Sequence, residues 1–430
     1  MTKKLNRTLA LTAAGMVCLL NTLPAQAAPA KSEMEQLKQQ VQQLIQQNQH
    51  LNQRLTEMEK KNAPPASPTG EQAPPTESEL ERNKTVIEEE VTRQIKEKQG
   101  PGINEFVSLS GSIEGDYKLG KDFSGTHSSE FVLDTVELIM DIKVTEWATG
   151  KIVVDYNGDD EDRLYIDEAH ITLGKTETFP FFLTGGKIYA PFGDFSTNMI
   201  QDPLPLTVGE IIEKGAIAGF EHNGFTGTVF AYNGIDENDP TDPDPKNDTI
   251  NGFGASLAYS YEREDTALKA GISWVNNIAS SGGISDVLPT AANGETMLAE
   301  NVSGLSLNLG GKYGPFSLIT EYTTALDSFT PAELPYGATD GAEPGAWNSE
   351  LAYTTSLLNK ETVLAIGYQK SWEAVALELP EQRYITSAAM NIFTGTTVTL
   401  EYFFDKDYAV SDGGTDNDGY GFTTRLAYTF

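Results

Sequence analysis

Polar and apolar positions alternate with a period of two through most of the chain after residue 103. The stretch YGFTTRLAYTF at 420–430 puts Tyr420, Phe422, Leu426, Tyr428 and Phe430 on one parity, and Thr423, Arg425 and Thr429 on the other. That is the signature of a strand with one greasy and one wet face. In 132–144 the apolar set is Val136, Leu138, Met140, Ile142 and Val144, against Glu137, Asp141 and Lys143. In 252–261 it is Phe253, Ala255, Leu257, Tyr259 and Tyr261, against small Gly254, Ser256, Ala258 and Ser260. In 396–404 it is Val398, Leu400, Tyr402 and Phe404, against Thr397, Thr399 and Glu401.

Sixteen such segments can be counted, beginning near residues 106, 131, 150, 163, 180, 214, 225, 250, 266, 302, 315, 347, 361, 381, 396 and 419. Their connections alternate in length. Short ones include 145–150, 222–224, 262–265, 311–314, 358–360 and 394–395, and long ones include 118–130, 190–213, 233–249, 277–301, 326–346 and 405–418. A sandwich in water has no reason to keep its long loops at one end, whereas an outer-membrane barrel has short periplasmic turns and long outside loops. The pattern therefore predicts an all-β fold, a 16-stranded antiparallel transmembrane β-barrel over 103–430, whose last strand points Tyr428 and Phe430 at lipid and pairs with the first. A closed ladder satisfies every backbone group inside the bilayer. The competing expectation is a secreted all-β protein such as an adhesin.

The first hundred residues obey other periods. Residues 1–27 carry Lys3, Lys4 and Arg7 before an apolar run from Leu9 to Leu20 and then Ala25-Gln26-Ala27, the layout of a cleaved signal peptide. In 28–62 the positions Leu37, Val41, Leu44, Asn48, Leu51, Leu55 and Met58 step by three and four, a heptad seam. A parallel coiled-coil helix in the periplasm is expected there, favouring a homo-oligomer, a trimer above other states; a single amphipathic helix on a surface is the alternative. Residues 63–102 add the Pro-rich spacer APPASPTGEQAPPTES and a short helix from Glu79 to Gln99, stopped by Gly100-Pro101-Gly102.

Composition narrows the class. Thirty Lys plus Arg stand against 62 Asp plus Glu, a net charge of -32. So acidic a chain repels phosphate backbones, and nucleic acid is not a partner. The lone Cys18 lies in the leader, and Val17 before it is a poor fit to a lipid-attachment site. The acidic loops at 236–248 and 412–419 could offer oxygen ligands to Ca2+, yet Gly414 stands where the second would need its first acid, and solvated loops fit as well. No metal ligand set and no cofactor is assigned. His170 near Glu168 suggests hydrolysis, but no serine is placed to complete such a site, so no catalytic residue is assigned and the chain is not read as an enzyme.

The stretch GGKIYAPFGDFSTNMIQDPLPLTVGE at 185–210, with WATGKIVVDYNGDDEDRLYIDEAHITLGK upstream and VSLSGSIEGDY at 107–117, resembles the LbtU family of siderophore porins. The layout of leader, short coil and barrel resembles that family along the whole chain. The resemblance implies a porin in a Gram-negative outer membrane that facilitates ferric-siderophore uptake, with outer-membrane lipid around it. The terminal Phe430 likewise looks like the signal read by the barrel-assembly machinery. A general or small-solute diffusion porin is the alternative function.

Sixteen strands leave an aqueous lumen. Inward parity predicts a pore lining of Glu137, Asp141, Lys143, Asp155, Lys187, Glu221, Lys269, Glu321, Glu350, Arg383, Glu401 and Arg425. Acid outnumbers base in that set, which predicts a mild cation preference. A polycarboxylate solute would need a local basic patch, for which Lys187, Arg383 and Arg425 are the candidates. The connection 190–213 holds Pro191, Pro203 and Pro205 beside Phe192, Phe195, Met199, Ile200, Leu204, Leu206 and Ile211. A loop so apolar is not expected to stand in water. It is expected either to fold into the barrel and narrow it, presenting Asp194, Phe195, Asn198, Asp202, Glu210 and Lys214, or to pack on a neighbouring subunit. About 75 residues of Gln-rich coil and spacer before Ile103 give no core for a globular plug, so passive or facilitated passage is expected.

Overall fold

A computed structural model describes residues 106–157, 163–236, 249–291 and 294–430. The leader, coil and spacer expected at 1–102 lie outside the described residues, as does most of the acidic loop at 236–248. Sixteen long strands run in chain order as eight hairpins: β1 Val107–Lys121 and β2 His127–Thr145; β3 Ala148–Asn157 and β4 Arg163–Lys175; β5 Phe179–Tyr189 and β6 Ile212–His222; β7 Phe225–Asn233 and β8 Ile250–Arg263. The second half repeats the plan with β9 Thr266–Val275 and β10 Gly304–Tyr313; β11 Phe316–Ala325 and β12 Gly345–Leu357; β13 Lys360–Trp372 and β14 Gln382–Phe393; β15 Thr396–Lys406 and β16 Asp418–Thr429. Each strand pairs antiparallel with its sequence neighbours, and β1 pairs with β16 to close the barrel. All-β fold class, strand number and closure agree with the alternation.

Closure uses the chain to its last residue. Gly111 and Phe430 exchange both backbone hydrogen bonds, at 3.2 and 3.1 Å, and the rings of Tyr428 and Phe430 stack 5.9 Å apart on the outer face. Ile171, Leu183, Phe181, Val229, Phe253 and Leu426 are all at least half exposed on that face. Water would not tolerate such a belt, whereas acyl chains supply it with apolar contact. The short turns hold the tight geometry that hairpins of this twist require: Asn223 and Gly224 have φ of 51 and 84°, and Leu358 and Asn359 have φ of 53 and 61°.

The first connection is a correction. β1 and β2 stay paired out to Lys121 and His127, so only 122–126 turns, not 118–130. Lys118 is polar because it faces the lumen, where its Nζ lies 2.6 Å from Asp134. The remaining long connections gather at one end. Those at 190–211, 276–303, 326–344 and 373–381 send Phe192, Leu204, Val208, Ile278, Ile284, Leu298, Phe329, Leu334 and Leu377 into one buried cluster with Phe230, Tyr232 and Val275 from the wall. Burying each such side chain is worth about 1.5–3 kcal/mol, enough to hold these loops as a packed body. A small hairpin, Pro335–Tyr336 with Asp340–Gly341, lies inside the third of these, 326–344.

Candidate functional site

The connection between β5 and β6 lies inside the barrel. Ala190 N donates to Ile211 O at 2.9 Å and closes its base. Gly193 then turns with φ of 82°, and Phe195 with φ of 51°. The Phe195 ring fills the space a side chain at Gly193 would need, since a Cβ there would meet the ring at 2.2 Å. A short helix α1, Leu204–Gly209, has Pro205 in its first turn and buries Leu204, Leu206 and Val208.

Carboxylates on the facing wall hold this loop. Glu321 of β11 accepts from Asp194 N at 2.8 Å and Phe195 N at 2.6 Å, and from Ser306 Oγ at 3.1 Å. Glu350 of β12 accepts from Thr197 Oγ1 at 2.6 Å, Asn198 N at 2.7 Å, Asn198 Nδ2 at 3.2 Å and Asn348 Nδ2 at 3.0 Å. Glu401 of β15 accepts from Ile200 N and, at 3.0 Å, from Gln201 N. Gln369 Oε1 of β13 takes Leu204 N at 3.1 Å, and Ser387 Oγ of β14 donates to Asn198 O at 3.0 Å. Met199 packs on Ala352, Ala365 and Ile385. At the near end Lys269 of β9 meets Asp194 at 2.5 Å. The loop is thus strapped across the inside of the wall from β9 to β15. Charge-assisted bonds of this kind contribute about 1.5–3 kcal/mol each, and each acid would be costly to bury without its donors.

These contacts change what the predicted lining does. Glu321, Glu350 and Glu401 do point inward, but at 1–2% exposure they face the loop rather than water. Arg383 is held by Asp405 through two 2.8 Å bonds and lies over the Phe403 ring. Arg425 grips Asp116 through two 2.8 Å bonds and also pairs with Glu114 and Asp134. Neither arginine is available to a solute, so the expected basic patch does not form. Lys187 is a further correction: it opposes Lys214 across β5 and β6, on the parity of Leu183, Ala216, Ala218 and Phe220, which is the outer face. Lys214 is likewise a strand residue, not part of the loop. Phe195 and Glu210 are buried in the loop's own packing, at 6% and 4% exposure.

The wet side of the lumen is the wall of β2 to β4 with parts of β6 and β9. Glu137 opposes Asp155, Asp141 opposes Lys151, and Lys143 opposes Thr149. Tyr165 donates to Asp155 at 2.9 Å, and Lys151 meets Glu168 at 2.7 Å. Asp141, Lys143 and Glu221 are exposed, Lys269 keeps about half its side chain exposed, and Asp194, Asn198 and Asp202 of the loop are partly exposed. Sequence reasoning missed Glu114, Asp116, Asp134 and Asp405, the partners of the arginines. Cross-strand register carries that information, and parity alone does not.

No family model matches the chain. A UPF0422 protein of Coxiella burnetii is 27% identical over 317 residues, covering 71% of this chain and 66% of its own length. The chain thus matches just under two thirds of that relative. Among solved structures, OprB of Pseudomonas putida superposes with a TM-score of 0.53 at 10% identity, over 76% of this chain and 95% of that one. The outer membrane channel DcaP of Acinetobacter baumannii superposes with a TM-score of 0.51 at 16% identity, over 75% and 97%. At these identities the likeness is one of fold, and the fold is that of outer-membrane channels.

Proposed function

We propose that the chain is an outer-membrane porin that lets a ferric siderophore pass without an energised plug, with the loop at 190–211 setting the width of the passage. The observation that carries a channel is the asymmetry of the lumen: one wall is covered by the strapped loop, and the other keeps its charged side chains wet. What supports an iron complex as the solute is the resemblance of 185–210 to siderophore porins, since that stretch contains the strap. The lumen's chemistry narrows the class further. With Arg383 and Arg425 neutralised and Lys187 outside, a neutral or cationic iron complex fits better than a polycarboxylate one.

A general small-solute porin is the second reading, favoured by the same acid-rich wall, which sorts by size and charge without a specific ligand. Uptake of a radiolabelled ferric siderophore under iron limitation, in a deletion strain with and without the restored chain, separates the two. Uptake should fall in the deletion and return with the chain, and saturate with concentration. Equal uptake in both strains removes the iron reading and leaves the general one, while a purified barrel that gives no conductance in a planar bilayer removes both. Assembly as a homotrimer through the heptads at 37–55, after insertion by the barrel-assembly machinery, belongs to the same proposal.

A further inference from the structure

Near the short turns, the wet wall carries a small grid of inward side chains across β2, β3 and β4. Asp141, Lys151 and His170 are consecutive cross-strand partners in one row, and Lys143, Thr149 and Thr172 in the next. Together they line a hollow of about 360 Å³. Its charges are not paired in the way the register suggests. Lys151 turns from Asp141, its partner across the strands, to Glu168 at 2.7 Å, and His170 Nε2 lies 3.5 Å from the same carboxylate. Asp141 is thereby left exposed, with no ion pair among the described residues. Lys143, two residues along the same strand, is exposed and likewise has no ion pair among them. Glu146 in the adjacent turn attracts it, but that carboxylate is held by Lys175. Thr149 lies exposed between the two lysines, and Thr172 Oγ1 shares a 2.8 Å hydrogen bond with Thr184. Counting Glu168, two acids balance two lysines.

We propose that this hollow holds a zwitterion of the α-amino acid type as it passes, with the ammonium at Asp141 and the carboxylate at Lys143. Residues two apart on a strand stand roughly 7 Å from each other on one face. The flexible lysine stem lets the two contacts close on an ammonium and a carboxylate joined through a single carbon. A solute of one sign fits less well, because an anion meets Asp141 and a cation meets Lys143 and Lys151. A neutral polyol would leave both charges without a partner. Contacts this exposed are weak, which suits a passage, since a solute must leave as readily as it enters. The site is independent of the iron complex proposed above, and a general porin would carry it equally.

Swelling of liposomes that contain the full chain tests the assignment, with L-alanine as the zwitterion and lactamide as an uncharged solute of nearly the same size. L-Alanine should enter about threefold faster, the scale of one or two exposed ion contacts. Both solutes have no net charge, so the general cation preference of the lumen does not separate them. Asp141→Asn/Lys143→Gln should bring the two rates together. Asp141→Lys/Lys143→Asp, which exchanges the charges and keeps the pair, should preserve the preference. Lys312→Gln, at an exposed position of inward parity on β10, should leave it unchanged. Heat-dependent mobility on a gel shows for each variant that the barrel has closed. Equal entry of the two solutes through the parent chain overturns the proposal. So does an undiminished preference in the uncharged double variant, or its loss in a closed barrel with the charges exchanged.

Discussion

Glu350 shows how far one side chain can decide the interior of this barrel. Its two oxygens take four donors, three of them from the loop residues Thr197 and Asn198. Glu350→Gln replaces an acceptor oxygen with an amide NH2 group, a donor that faces those donors. The loss should cost about 1.5–3 kcal/mol of loop attachment, with the barrel ladder untouched. Single-channel recording should then show brief excursions to higher current, absent from the parent chain. A variant trace that stays quiet at the parental level would mean that Glu321 and Glu401 hold the loop without it.

At the scale of elements, the strap from 190 to 211 is the one piece whose removal should change passage without changing the wall. Deleting 195–209 leaves Ala190 and Ile211 free to close the base, and exposes Glu321, Glu350 and Glu401 to water. Conductance should rise and become more cation-selective, because three charges formerly satisfied by backbone N–H groups now line the hole. Unchanged conductance in a barrel that still shifts on a gel when boiled sinks the idea that the loop limits the passage. That this segment is neither a ladder strand nor a solvated loop was legible, because its prolines forbid a ladder while its aromatics and leucines forbid solvent; whether it folds inward or onto a neighbouring subunit was open in the sequence. Its anchors were not legible, since Glu321, Glu350 and Glu401 look in the sequence like any wetted inward residue. The loop also explains the misreading of Lys187. By packing against the inner wall it makes that wall apolar near the rim, where Ile188 is 1% exposed. There the rule that polar residues face inward reverses, and Lys187 and Lys214 fall on the outside. The strands themselves were legible to within a few residues, because lipid outside and water inside enforce a period of two that bulges interrupt, such as those beside Asp134 and Asp167.

In the whole molecule, selectivity depends on where the charges go. The chain has about two acids for each base, but the lumen does not present that excess evenly. Glu114, Asp116 and Asp134 are spent on Arg425 and Lys118, Asp405 on Arg383, and three further glutamates on the loop. What a passing ion meets is the wet wall, where Glu137, Asp141 and Glu221 outweigh Lys143 once Lys151 and Lys269 are paired with Glu168 and Asp194. A purified barrel in a planar bilayer under a KCl gradient should therefore give a reversal potential of the sign that marks potassium as the more permeant ion. Because the field comes from partly solvated charges, the preference should weaken as ionic strength rises and the screening length falls from about 10 Å at 0.1 M. Glu137→Gln combined with Asp141→Asn removes two of the wet acids and should move the reversal potential towards zero, while single-channel amplitude stays near the parental value because the loop is untouched. A chloride-selective reversal potential in the parent chain would show that the lysines of the wet wall, not its acids, govern what enters.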